Sequence, residues 1–144
     1  MAEPDAAPAE KKPPRLRASL RRIMVAWGFG AVWAFIVNGA AATRYGQLVE
    51  LPRFWFGVLS ALPFVMAAAQ IPTSLRLERH GGRKRVFTVS LVIARSLWIV
   101  VGVVPWVTPP EWRWPAFIAL AALSHMLQQV ATPAWMSWMA DLIP

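Results

Sequence analysis

The stretch 86-VFTVSLVIARSLWIVVGVVPWV-107 decides the fold. Its 22 residues contain one charge, Arg95, and no acid. A helix of that length covers about 33 Å at 1.5 Å per residue, enough to cross the hydrocarbon of a bilayer. Three more runs have the same character. Ile23 to Ala42 is 20 residues without a charge, and Asn38 is its one strongly polar side chain. Phe54 to Thr73 is another uncharged run of 20, with Pro63 and Pro72 as kinks that neighbouring helices can accommodate. Pro115 to Ala140 spans 26 residues with a polar cluster in its middle, and its length implies tilt or an end that projects beyond the lipid.

The fold expected is therefore all-α, a polytopic membrane protein of four transmembrane helices with spans at 23–42, 54–73, 86–107 and 115–140. The connections 43–53, 74–85 and 108–114 are too short to hold a soluble domain. Residues 1–22, with four prolines, three acids and six bases, read as a disordered basic cytosolic tail. Composition agrees: 57% of the 144 residues are apolar, against about 45–50% in soluble domains. Nine tryptophans fit a chain that meets lipid headgroups. Trp55, Trp106, Trp112 and Trp114 fall near one set of span ends, and Trp135 and Trp138 near the other. Trp27, Trp33 and Trp98 lie deeper, where packing is their expected role.

The net charge of +8 is an orientation signal. Eleven of the 15 bases lie in the tail (Lys11, Lys12, Arg15, Arg17, Arg21, Arg22) and the second connection (Arg76, Arg79, Arg83, Lys84, Arg85). Arg44, Arg53 and Arg113 alone fall on the other side, which places the tail and the second connection in the cytoplasm. After four crossings both termini are cytoplasmic, in the cell membrane. The separation of bases from aromatics argues against a nucleic-acid partner. Arg21-Arg22 and Ala40-Ala41-Ala42 resemble parts of a secretory signal, but three further spans leave no exported domain for a signal to deliver. With no cysteine, thiolate metal sites and cysteine nucleophiles are excluded. Only two histidines occur, no carboxylates pair within a span and no phosphate loop is present, so neither an enzyme nor a cofactor is expected. Ser124-His125 are neighbours about 100° apart on a helix, and their adjacency reads as coincidence.

The second connection reads 74-SLRLERHGGRKR-85. It resembles the signature of the major facilitator superfamily between its second and third helices: a Gly, an acid-Arg pair, a second Gly and a basic run. Glu78-Arg79 match the pair, Gly81 the second glycine and Arg83-Lys84 the bases. Ser74 stands in place of the first glycine, Gly82 is an extra residue, and Glu replaces Asp. The run 133-PAWMSWMADLIP-144 looks like the place where family members leave helix four, with an acid at the cytosolic mouth. The resemblance implies a conformational charge cluster of Glu78, Arg79, Gly81, Arg83, Lys84 and Asp141, in which Asp141 pairs with Arg79 or Arg83.

Polar groups inside the spans are the candidates for a substrate or coupling-ion pathway. Arg95 lies close to the midplane, where an arginine costs about 2.5–3.5 kcal/mol even on a lenient scale, so it is expected to face the bundle interior or water. His125, Gln128, Gln129 and Thr132 share one helical arc about 100° wide. At a depth comparable to that of Arg95, this stripe could meet it across a cavity. Asn38 is a further candidate in span one. The competing reading for each is an interhelical hydrogen bond or a packing residue. The glycines show no clear small-xxx-small motif.

The resemblance implies the N-terminal part of a secondary active transporter, moving a small solute by alternating access, alone or with a coupling proton or ion. Such proteins have about twelve helices built from three-helix repeats. The chain is then a fragment, inactive alone, whose partners are the lipid bilayer, the solute and missing C-terminal helices. The alternative is a complete four-helix scaffold or accessory subunit. A small multidrug exporter is disfavoured by the absence of an acid in span one.

Overall fold

A computed structural model describes residues 14–140, all of its regular structure helical. The chain divides into two compact units, one ending at Ala41 and one beginning at Ala42. Helix α1 is Pro14–Asn38. A proline at the first helical position is pre-set for helix, and Arg, Leu and Ala after it are good helix formers. This corrects the expectation of a disordered tail over its last residues: helix begins at Pro14, while the rest of the tail lies outside the described residues. Beyond Ile23 the apolar side chains of α1 are largely exposed, among them Trp27, Phe29 and Phe35. The helix is interrupted at Gly39, where a Cβ would stand 2.4 Å from the Phe35 carbonyl oxygen. Asn38 turns its amide back to Ala34 O at 2.9 Å.

Helix α2, Ala40–Leu48, ends in a Schellman turn. Leu51 N–H donates to Gly46 O at 2.9 Å and Glu50 N–H to Gln47 O at 3.2 Å, with Glu50 in the left-handed region at φ 57°. Helix α3, Arg53–Met66, follows Pro52, and a 3₁₀ turn, Ala67–Ala69, joins it to α4, Gln70–His80. Pro72 is accommodated because it falls in the first turn of α4, where helical N–H groups lack intrahelical acceptors anyway. Helix α5 is Arg83–Val107 and α6 is Pro110–Ala140.

The expected connection 74–85 contracts to Gly81 and Gly82, because α4 continues to His80 and α5 begins at Arg83. Both glycines have positive φ, 65° and 76°, conformations that side chains resist. The extra glycine relative to the family pattern is therefore half of the turn itself.

Three helical stretches are long and apolar enough to cross a membrane: Ile23–Leu48, Arg53–His80 and Arg83–Val107. The fourth expected span forms a helix of 31 residues, whose apolar character is diluted by His125, Gln128 and Gln129.

Helix α6 is the centre of the larger unit, packed on α5 along its length and on α3, the 3₁₀ turn and α4 along another face. Helices α5 and α6 are antiparallel. Phe87 meets Trp135 at a ring distance of 5.1 Å, Ala94 meets Ser124, and Trp98 meets Phe117 at 6.4 Å. The seam is made of small buried residues, Ser90 and Ala94 on α5 and Ala121, Ser124, Ala131 and Ala134 on α6. Small residues let helix backbones approach, which is how helices associate where lipid removes the hydrophobic driving force. The apolar core, Val49, Leu51, Leu59, Leu62, Val101, Phe117, Ile118 and Ala121, lies at the end opposite the glycine turn. Trp55 and Trp114 meet at that end in a tilted pair, ring centroids 5.3 Å apart, and Phe87, Trp135 and Trp138 cluster at the other.

Candidate functional site

Within the larger unit, side-chain hydrogen bonds collect where helical backbone bonds are interrupted. Pro63 carries no N–H, and four residues on the chain tightens: Ala67 N–H turns to Phe64 O rather than to its α-helical acceptor, Pro63 O. Gln129 from α6 fills the vacated carbonyl, donating through Nε2 to Pro63 O at 2.8 Å. Gln70 Nε2 in turn donates to Gln129 Oε1 at 2.6 Å. One amide thus bridges a kinked helix and the helix beyond its kink.

A second group faces α5. Ser124, fully buried, donates to Ala94 O at 2.9 Å and accepts from Trp98 Nε1 at 2.9 Å. Gln128 Nε2 lies 3.3 Å from Ser124 Oγ and 3.4 Å from Ser124 O, and Thr132 Oγ1 donates to Gln128 O at 3.1 Å. His125 is 4% exposed and falls between the two directions on the helical wheel.

The polar arc read from sequence therefore does not meet one cavity: Gln129 reaches α3 and α4, Gln128 and Thr132 bond within α6, and the adjoining Ser124 reaches α5. The physical reason is that an arc about 100° wide on a central helix is shared between two neighbours. Arg95 is exposed on α5, one position beyond fully buried Ala94. Its face differs by about 100° from the one that meets α6. Asn38 belongs to the other compact unit and bonds its own helix.

A third proline explains Tyr45. Pro105 cannot donate to Val101 O, and the Tyr45 hydroxyl does so instead while its ring packs 5.0 Å from Phe117. Sequence reasoning missed Tyr45 and Gln70 and set Ser124 aside. For Tyr45 the available signal was Pro105, which orphans the carbonyl four residues before it inside an apolar run; Gln70 and Ser124 bond groups that no proline frees.

Of the residues implicated by the charge-cluster resemblance, Glu78 and Arg79 are exposed in the last turn of α4, and Arg83 and Lys84 open α5. Gly81 is in the turn between them. Asp141 lies outside the described residues, and with it the expected pairing to Arg79 or Arg83. Compared with known protein families, curated proteins and solved structures, the chain matches none.

Proposed function

We propose that the chain is the N-terminal part of a secondary active transporter of the major facilitator type, moving a small solute across the cell membrane by alternating access. In this reading α6, about 46 Å long at 1.5 Å per residue, is the fourth crossing, and the tail and glycine turn are cytoplasmic. The observation that carries it is the Gln129 amide on the freed Pro63 carbonyl. Interrupted helices with polar groups near the midplane are how secondary transporters build solute sites. Gln129, Gln128 and His125 are the pathway candidates on the central helix, and Arg95 and Asn38 the candidates on surfaces that further helices would cover. Glu78, Arg79, Arg83, Lys84 and Asp141 form the charge cluster that holds one conformation.

The absence of cysteine makes the orientation directly testable. Arg79→Cys is expected to react with an impermeant maleimide only from the cytoplasm, and Glu111→Cys only from outside. Labelling of both from one side removes the odd number of crossings between them. For transport, eight further apolar spans are expected in frame beyond Pro144. The protein they complete should lose solute uptake on Gln129→Leu while expression persists. A second reading, a four-helix scaffold, is favoured by the Ser124 bonds, which tie α6 to α5 within the chain. A stop codon after Pro144 with stable membrane expression decides for the scaffold.

A further inference from the structure

A cleft of about 520 Å³ opens beside the glycine turn, walled by α4, α5 and α6. Its floor is apolar, with Leu77, Val86, Val89 and Val130, and Thr73 and Ser90 add hydroxyls. Its rim carries Arg76, His80 and Arg85, and among the described residues no carboxylate lines it. The first turn of α5 enters at the same place. It begins at Gly82 in the left-handed region without a side-chain cap and has no acid in its first turn. Two guanidinium groups on the rim, with no carboxylate lining the cleft among the described residues, favour an anion there. A polar anionic head above an apolar body fits both halves of the cleft.

We infer that this cleft binds a phosphate group, held by Arg76 and Arg85 at its rim, and that its apolar floor selects an anionic phospholipid over a soluble phosphate. Basic pockets between membrane helices have this use at headgroup depth. The inference rests on the chain spanning a membrane with the glycine turn at its surface, and not on the solute that it moves.

The test is quenching of tryptophan fluorescence in the full chain reconstituted with brominated lipids, Trp135 and Trp138 being at this end. Brominated phosphatidylglycerol is expected to quench at several-fold lower mole fraction than brominated phosphatidylcholine. Arg76→Gln with Arg85→Gln should abolish that preference, and Val89→Phe, which narrows the cleft and keeps both arginines, should reduce it. Arg44→Gln with Arg53→Gln, on residues outside the cleft, should leave it intact. Equal quenching by the two lipids, or a preference that survives Arg76→Gln with Arg85→Gln, overturns the site. Displacement of phosphatidylglycerol by millimolar inorganic phosphate keeps the phosphate site and overturns its selectivity for lipid. Quenching by neither lipid overturns the membrane placement and the lipid site together, which sets that failure apart from the others.

Discussion

The two faces of α6 solve the same problem in different ways. Against α5 the helices are continuous, and Ser90, Ala94, Ala121, Ser124, Ala131 and Ala134 allow a close seam with one hydroxyl bonded across it. Against α3 and α4 the partner is broken by Pro63 and a 3₁₀ turn, larger side chains such as Leu59 and Leu62 fill the gap, and amides replace lost backbone bonds. In lipid, helix association relies on close packing and on polar bonds, not on the hydrophobic effect. The seam uses the first and the kinked face the second. A close-packed seam has one geometry, whereas a bend held by an amide pair has an alternative in which the pair parts, so the kinked face is the one suited to movement.

The largest expected effect breaks the seam. Ala94→Leu inserts three heavy atoms at a fully buried position opposite Ser124 and should cost about 3 kcal/mol, measured as a fall in unfolding midpoint in detergent. The amide face should be less sensitive: Gln129→Leu is expected to cost about 0.6–1.7 kcal/mol, the range of interhelical hydrogen bonds. A loss as large as that of Ala94→Leu would show that the two faces are equally rigid.

Tyr45→Phe isolates the proline argument. It should cost about 1 kcal/mol in the native chain and much less in a Pro105→Ala background, where residue 105 regains an N–H for Val101 O. Equal losses in both backgrounds would detach Tyr45 from the proline. The smallest effect is a gain. Glu50→Gly relieves a left-handed residue in the Schellman turn and should stabilise by about 0.5–1 kcal/mol, read as a higher melting temperature.

The elements were largely legible because lipid imposes length and apolarity on each helix separately. Helix α5 begins at Arg83, three residues before the apolar run, since charged residues continue a helix beyond the hydrocarbon without cost to its backbone. The same reason moved the end of the second helical stretch from Thr73 to His80. The site was legible only in part. Gln128 and Gln129 stood out as amides in an apolar run, but that Gln129 crosses to Pro63 O while Gln128 turns back to Ser124 depends on which helix lies on which side. Ser124 and Tyr45 gave no such signal, because a hydroxyl is common in membrane helices and its partner here is a backbone carbonyl on another helix.

By itself the sequence determined that the chain is helical, with stretches long and apolar enough to cross a membrane, and that glycine serves the turn between α4 and α5, since these follow from local apolarity and backbone sterics. Only the tertiary structure decided that α6 is central, that Gln129 and Ser124 reach different neighbours, and that donors from other helices occupy the carbonyls freed by the 3₁₀ turn after Pro63 and by Pro105. Those depend on contacts between residues far apart in the chain, for which a local pattern supplies a need but not a partner.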